Sequence, residues 1–206
     1  MTCQTRTPIL IYMVRSRTFD PSTALSKAVE LFSSRGYSET SMEDIVRATG
    51  VSRYGLYGTF GNKRELFEQA LDKYADRMGK QAFLRLLEPQ ASLDDIRKIF
   101  EERVADMCAM DESKGCLFVH TAMELAPQDE ELRDVLLKFM QRMSKLFAVG
   151  LESAKEKGEV KPDLDVRAAG EMLTGTMFGL AVLGRTGFSR AALDGIVEST
   201  LASLTD

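Results

Sequence analysis

The sequence predicts an all-α fold in which a three-helix helix-turn-helix head is joined through a long helix to an all-helical body. Three observations support this prediction. Apolar residues recur at intervals of three and four along the chain. No long stretch shows the strict apolar–polar alternation of a strand. Capping residues and glycines divide the chain into roughly nine segments of helical length.

The head contains four predicted helix starts. The first helix begins at Asp20-Pro21 and stops at Gly36, and the second is capped by Thr40 or Ser41 and stops at Gly50. A third, capped by Ser52, runs to about residue 59, and the long fourth helix starts at Lys63. In the body, the same signals place helices at 92–110, 116–126, 129–158, 165–185 and 189–204.

The composition excludes several classes of protein. With 206 residues, 44% apolar and 28% charged, the chain can bury a sizeable core. No run approaches the ~20 apolar residues of a membrane span, and the run 9–14 is too short for a secretory signal, so we expect a cytoplasmic protein without a membrane partner. Three cysteines, an odd number, predict reduced thiols.

The charge is divided unevenly. The net charge of −4 suggests a chain that avoids nucleic acid. However, residues 1–80 carry a net charge of +3 and residues 81–206 a net charge of −7. A mildly basic head on an acidic body favours a nucleic-acid module fused to a different domain.

The turn Thr49-Gly50-Val51 joins two short helices as a helix-turn-helix. The second helix of such a pair enters the major groove, and Ser52, Arg53, Tyr54 and Gly55 lie at its N-terminal end, where side chains reach base edges. The alternative is a plain packing unit, because short paired helices with a glycine turn also occur without a nucleic-acid partner.

The residues around this turn carry a family resemblance. The segments Phe32-Ser33-Ser34-Arg35-Gly36-Tyr37, Gly50-Val51-Ser52-Arg53-Tyr54-Gly55-Leu56-Tyr57 and Phe60-Gly61-Asn62-Lys63-Arg64-Glu65-Leu66-Phe67 resemble the N-terminal domain of TetR family transcriptional regulators. The resemblance implies a homodimeric repressor that a small apolar or electrophilic effector releases from a palindromic operator in double-stranded DNA. It divides the chain into an extension and basic arm (1–18), a DNA-binding domain (19–66) and an effector-binding and dimerisation domain (67–206).

The resemblance also assigns contacts to the operator. It implies base reading by Ser52, Arg53, Tyr54 and Gly55, and phosphate contacts from Tyr57 and Lys63; Thr40, Ser41 and Thr59 complete the expected DNA-binding set. The sequence departs from the family at Tyr54, where glycine is more common. In the arm, Arg15 and Arg17 either reach the minor groove or belong to a frayed terminus.

Apolar and polar side chains of the body are candidates for an effector pocket. Soft, deformable side chains suit an apolar or aromatic ligand, and the alternative for each of them is ordinary core packing. The candidates are Phe100, Met107, Cys108, Phe118, His120, Met123, Phe139, Met143, Met177 and Phe178.

Cys116 has three interpretations. It lies at a predicted helix N-terminus beside Lys114, and both features favour a thiolate, so it is a candidate electrophile or redox sensor. Spacing of four from His120 also allows a soft metal, with Cys108 as third ligand. Ordinary packing is the favoured interpretation, and we expect neither a metal nor a cofactor.

The last two helices are expected to form a homodimer. Small residues allow close approach of backbones across a four-helix interface, with leucines and isoleucine as fill. The expected interface residues are Leu173, Gly175, Gly179, Leu180, Leu183, Ile196 and Leu201. Two-fold symmetry then predicts recognition helices about one DNA turn apart, ~34–36 Å, or a multiple of it.

Two rival functions differ in class from a regulator. An enzyme is disfavoured because the chain has one histidine, no serine–histidine–aspartate order and no glycine-rich phosphate loop. The second rival keeps the fold but acts as a nucleoid-associated or protein-binding module without a small-molecule effector.

Overall fold

The computed structural model describes residues 19–80, 83–109 and 115–205, apart from the side chains of residues 79 and 80. This part of the chain forms α-helices and one short 3₁₀-helix. The helices are α1 (Pro21–Arg35), α2 (Met42–Thr49), α3 (Arg53–Phe60), α4 (Lys63–Lys80), the 3₁₀-helix (Leu84–Leu87), α5 (Leu93–Ala109), α6 (Leu117–Glu124), α7 (Glu130–Glu156), α8 (Val166–Arg185) and α9 (Arg190–Ala202). The all-α prediction is confirmed, and each predicted boundary in the described ranges lies within two residues of the observed one.

Side-chain caps begin the helices of the head. The Asp20 carboxylate accepts hydrogen bonds from the backbone N–H groups of Ser22 (3.2 Å) and Thr23 (2.9 Å). Ser41 and Asp44 form a reciprocal capping box at the start of α2. Gly50 ends α2 in the left-handed conformation (φ +73°), which permits the tight turn into α3.

Two apolar cores organise the molecule, and the first is not confined to the head. It contains Phe32, Ile45, Leu56 and Phe67 from α1, α2, α3 and α4, and it continues into Leu117 of α6. The second core lies among α5, α7, α8 and α9 around Phe100 and Phe147. Phe139 and Phe178 pack against both cores and therefore join them.

Helices α7 and α8 form the main packing surface of the body. They approach closely because Gly170 of α8 has no side chain: a Cβ there would lie 2.4 Å from the Ser144 carbonyl oxygen. Ser144 and Thr174 also share a hydrogen bond of 3.0 Å between their hydroxyls. This pairing leaves another side of α8 facing away from its own protomer.

Candidate nucleic-acid interface

Helix α3 buries one side and exposes the other. Leu56 and Phe60 pack into the first core, and the Ser52 hydroxyl caps the helix by accepting a hydrogen bond from the Gly55 N–H (3.2 Å). Outside this buried side, Ser52 and Arg53 are exposed and Tyr54 keeps 82% of its surface in solvent. A short helix anchored by two side chains therefore presents polar and aromatic groups outward from its N-terminal end.

Arg53 is held in place by weak, exchangeable contacts. Its guanidinium donates to the Glu43 carboxylate at 2.6 Å and lies 5.7 Å from the centroid of the Tyr57 ring. Both Arg53 and Glu43 are largely exposed, so solvent screens the ion pair. Arg53 can therefore exchange Glu43 for a base edge or a phosphate at low cost.

Lys63 occupies the first position of α4. Asn62 caps this helix by accepting hydrogen bonds from the N–H groups of Arg64 (2.9 Å) and Glu65 (3.1 Å). The Lys63 ammonium lies 4.2 Å from the Tyr37 ring centroid, and partial burial lowers its pKa, opposed by Glu124. The cation is thus fixed beside a helix N-terminus, a combination that suits a phosphate.

The expected Thr40 contact is wrong, and Gly55 packs against its neighbours. The Thr40 side chain is fully buried, and its hydroxyl donates to the Gly36 carbonyl (2.7 Å), because it closes the turn after α1. Gly55 lies on the inner side of α3, where a Cβ would meet Val51 Cγ1 at 3.0 Å and the Phe19 ring at 3.4 Å. Gly55 therefore permits close packing at the start of α3, and its contact with bases stays a prediction.

The remaining DNA-binding candidates have mixed surroundings. The Ser41 hydroxyl donates to the Asp44 carboxylate at 2.6 Å and is half-buried, and Thr59 is also half-buried. Tyr57 is 40% exposed. Arg15 and Arg17 lie outside the described residues. The exposed residues of α3 and the half-buried Lys63 of α4 form the group that we call the reading surface: Ser52, Arg53, Tyr54, Tyr57 and Lys63.

Sequence reasoning missed the junction between head and body. The Glu124 carboxylate of α6 accepts hydrogen bonds from the backbone N–H groups of Tyr37 (2.9 Å) and Ser38 (2.6 Å). Burial raises the pKa of Glu124, but these hydrogen bonds outweigh it and hold the pKa below its ordinary value. We call this contact the Glu124 clamp. Gly36 is its one sequence signal, since a Cβ there would lie 2.5 Å from the carboxylate.

Further polar contacts reinforce this junction. The Arg185 guanidinium donates to the Ser34 carbonyl (3.0 Å), and the Gly115 N–H donates to the Ser33 carbonyl (2.9 Å). Arg64 of α4 pairs with Asp129 at the start of α7. The head is therefore tied to α6, α7 and α8 through hydrogen bonds as well as through the shared core.

The effector-pocket candidates are scattered. Phe139 and Met143 line a cavity of about 130 Å³, together with Ala75, Asp76, Phe83, Leu84, Leu87, Arg142 and Leu146. Phe100, Phe118 and Met177 are buried in the cores, and Met107 and Phe178 are half-buried beside them. Cys108 and Met123 were expected inside the body, which is wrong: both are exposed, Met123 by 78%, because they lie on the solvent sides of α5 and α6.

Cys116 and His120 lie near the junction and do not form a metal site. Cys116 is buried at the N-cap of α6, and Lys114 lies outside the described residues. The His120 Nε2 atom is buried without a hydrogen bond, and burial, with Arg185, lowers the pKa of the ring. The described residues contain no group of three metal-ligating side chains, and Cys108 is exposed while Cys116 is buried.

The expected dimer residues divide into two groups. Leu173, Leu180 and Leu201 belong to the protomer's own core, so the prediction that they contact a partner is wrong. Leu183 and Ile196 are half-buried, and Gly175 and Gly179 have no neighbouring atom near the position of a Cβ.

No described helix is long and apolar enough to cross a membrane.

Comparison with known proteins agrees with this architecture. The family model for the N-terminal domain of bacterial regulatory proteins of the tetR family matches residues 24–70, and the "Tetracyclin repressor-like, C-terminal domain" matches residues 92–199. The chain is 30% identical over 193 residues to the HTH-type transcriptional regulator YezE of Bacillus subtilis, covering 93% of this chain and 100% of that protein. It is 29% identical to the HTH-type transcriptional repressor ComR of Escherichia coli, covering 91% and 90%.

A solved structure extends the similarity to the fold. A cysteine mutant of the regulator CifR, complexed with 26-base-pair operator DNA, superposes with a TM-score of 0.79 at 30% identity, covering 92% of this chain and 99% of that one. The chain belongs to the TetR family of bacterial regulatory proteins, which are DNA-binding transcriptional regulators and not enzymes.

Proposed function

We propose that this protein is a homodimeric repressor that a small, mainly apolar effector releases from a near-palindromic operator. The α3 part of the reading surface carries the proposal, because Ser52, Arg53 and Tyr54 are exposed at the N-terminal end of a helix whose other side is buried. Relatives named as repressors, ComR of Escherichia coli and DhaR of a Mycobacterium species, support repression.

Within the reading surface, the residues have different roles. Arg53 and Tyr54 read bases, since both are long side chains exposed at the start of α3. Tyr57 and Lys63 contact phosphates, because Lys63 combines an ammonium with the N-terminus of α4.

The dimer is supported by an uncovered stripe on α8. Ala168, Met172, Gly175, Gly179 and Val182 recur at spacings of four and three, so they share one side of the helix. Met172 and Val182 are 40% and 46% exposed, and the two glycines have open space around them. A second copy can therefore approach α8 closely and bury this stripe.

The effector is proposed to enter the cavity lined by Phe139 and Met143. A volume of about 130 Å³ is close to the ~150 Å³ of an apolar cavity that holds benzene, which indicates a small ligand. Ala75 of α4 lines the same cavity, and Lys63 begins that helix. A ligand that pushes on the C-terminal half of α4 therefore displaces the head and changes the spacing of the two recognition helices.

Operator binding tests the proposal directly. We expect the wild type to bind one near-palindromic fragment from DNA flanking its gene, measured by fluorescence anisotropy. Arg53→Ala should weaken that complex by about 1–3 kcal/mol and relax base preference where the side chain reads. Equal affinity of the wild type for the fragment and for a scrambled palindrome would contradict the proposal and favour a nucleoid-type binder.

Thiol sensing at Cys116 is not favoured by the structure. Reactive cysteines are partly accessible, whereas only 5% of Cys116 is exposed. If electrophiles such as quinones released the wild type but not Cys116→Ser from the operator, this assignment would be reversed.

A further inference from the structure

A buried cation lies between the two cores without an anionic partner. The Arg103 Nε of α5 is shielded from solvent and makes no hydrogen bond, and the guanidinium has one described contact, a donation of 3.4 Å to the Tyr74 hydroxyl. Arg103 makes no ion pair with a carboxylate among the described residues; the exposed Asp106, one turn away on α5, favours its charged form only from a longer distance. Arginine stays charged in proteins, so this placement is costly unless an anion compensates it.

The groups around Arg103 do not supply that anion. Burial, together with the neighbouring Cys116, raises the pKa of Tyr74, so its hydroxyl is neutral at physiological pH. A neutral phenol accepts one hydrogen bond from Arg103, and its proton can turn from the neighbouring Cys116, a weak acceptor, to a stronger one. Arg103 and Tyr74 therefore offer several donors to an incoming acceptor within an apolar region.

The apolar part of this region is aromatic. The Tyr74 ring meets Phe118 edge to face, with centroids 5.3 Å apart, and Phe118 stacks on Phe139 at 4.1 Å. A ligand that places an anionic group at Arg103 would meet carbon atoms on its other sides. A guanidinium fork pairs best with a planar carboxylate or a phosphate, and apolar walls favour the less hydrated carboxylate.

We propose that Arg103 and Tyr74 form a recognition site for the carboxylate of a small organic acid with an apolar body. The inference rests on the proposed function and names the chemical class of the effector; Phe139, which stacks on Phe118, also lines the proposed effector cavity and places the two regions side by side. It also gives the signal a route: Tyr74 belongs to α4 and Cys116, beside it, precedes α6, so the site joins the two helices that hold the head.

Thermal unfolding of the full chain without DNA tests the site. The probes are benzoate and hexanoate, each paired with its uncharged amide. We expect a carboxylate to raise the Tm by several degrees at millimolar concentration while its amide does not. Equal shifts from acid and amide, or no shift from either acid, would overturn the inference.

Variants separate a binding role from a structural one. Arg103→Met should raise the Tm of the free protein, because it removes an uncompensated buried charge, and should abolish the carboxylate shift. Tyr74→Phe should weaken the shift, and Lys98→Ala, the matched control for an exposed cation on the same helix, should retain it. A lower Tm in Arg103→Met, or a carboxylate shift that survives in it, would count against the site.

Measuring operator affinity without a carboxylate probe separates the proposed repressor function from the proposed carboxylate site. Arg103→Met should bind the operator as the wild type does but resist release by the carboxylate. A wild type that shows the carboxylate shift but binds no operator would refute the proposed repressor and leave the carboxylate site standing.

Discussion

Tyr54 exposes a large aromatic ring to water at the end of α3 that is proposed to enter the major groove. With 82% of its surface exposed, the ring contributes little to the core, so its value lies in contact with another molecule. The ring can lie against a thymine methyl, a contact that glycine at this position lacks. Tyr54 is thus expected to give this regulator an operator preference different from that of relatives with glycine there.

Lys63 is expected to contact a phosphate and not a base. Lys63→Ala should weaken binding to all duplexes and reduce the slope of log affinity against log salt by about one. The matched control is Lys98→Ala, because Lys98 is exposed on α5 and pairs only with Asp94 on its own helix. Salt slopes that are equal in the wild type and Lys63→Ala would show that the ammonium makes no phosphate contact.

At this scale, the sequence was informative where a residue's local position decides its role. The exposure of Arg53 and Tyr54 could be predicted from the N-cap at Ser52, since the first turn of a recognition helix points outward. Thr40, Gly55 and Met123 could not be assigned in the same way. Whether each faces solvent depends on the packing of α1, Phe19 and α6, which spacing alone does not specify.

Helix α3 contains two glycines that provide a matched test of packing. A Cβ on Gly55 would meet Val51 and Ser52 at 3.0 and 3.3 Å, whereas Gly58 has open space. Gly58→Ala should stabilise the head by up to about 1 kcal/mol through helix propensity. Gly55→Ala should be less stable than Gly58→Ala by roughly 1–2 kcal/mol, because the added methyl overpacks the turn.

Urea unfolding measures both variants. If Gly55→Ala is as stable as Gly58→Ala, then Val51 and Ser52 shift to accommodate the methyl group without a cost in free energy. The close approach at Gly55 would then have no effect on stability.

The helix boundaries were predictable because residues close in sequence determine where each helix begins and ends. Asp20, Ser41 and Asp165 cap helices through their own side chains, and Gly50 ends one with a positive φ. The 3₁₀-helix at Leu84–Leu87 carries no side-chain cap and was not predicted. It forms because Leu86 is drawn into the second core, a contact made with distant parts of the chain.

The Glu124 clamp is a property of the whole molecule, because Glu124 lies 87 positions along the chain from Tyr37 and 86 positions from Ser38. Glu124→Gln should lower the free energy of unfolding by roughly 1 kcal/mol, since a neutral amide is a weaker acceptor and the site is partly solvated. The exposed Glu130→Gln is the control. Amide hydrogen exchange at Tyr37 and Ser38 should become faster in Glu124→Gln alone.

The pH dependence of the clamp has a defined sign. The folded pKa of Glu124 lies below its ordinary value of 4.5, so its contribution is complete above that pH and is lost as the pH falls through the folded pKa. The stability difference between the wild type and Glu124→Gln should shrink on acidification. A stability difference that stays constant to low pH would show that the charge of Glu124 does not contribute to its contact with the head.

The stripe on α8 predicts the oligomeric state. Val182→Glu should convert the proposed dimer into monomer, because a charge would be buried at the seam without a partner. Leu137→Glu is the control, since Leu137 is equally exposed but lies on α7, outside the stripe. Light scattering coupled to size-exclusion chromatography would measure the molar mass. A Val182→Glu variant that remains dimeric would show that the dimer interface lies elsewhere.

The interface illustrates what spacing could not resolve at this scale. Small residues on α8 indicated close approach, but two such approaches exist. Gly170 faces α7 within the protomer, and Gly175 and Gly179 face open space. Leu173 and Leu180 lie on the inner side, so α8 has one side packed within the protomer and one open side, which the spacing of small residues does not distinguish.

The first core crosses the division between head and body, and this constrains how such regulators can be recombined. A hybrid made by grafting this head onto another body at residue 66 would uncover Phe67 and Leu71 and leave Leu117 without its neighbours. A workable exchange must carry α4 and α6 together with the three head helices. For building new biosensors from this scaffold, the transferable part is therefore discontinuous along the chain.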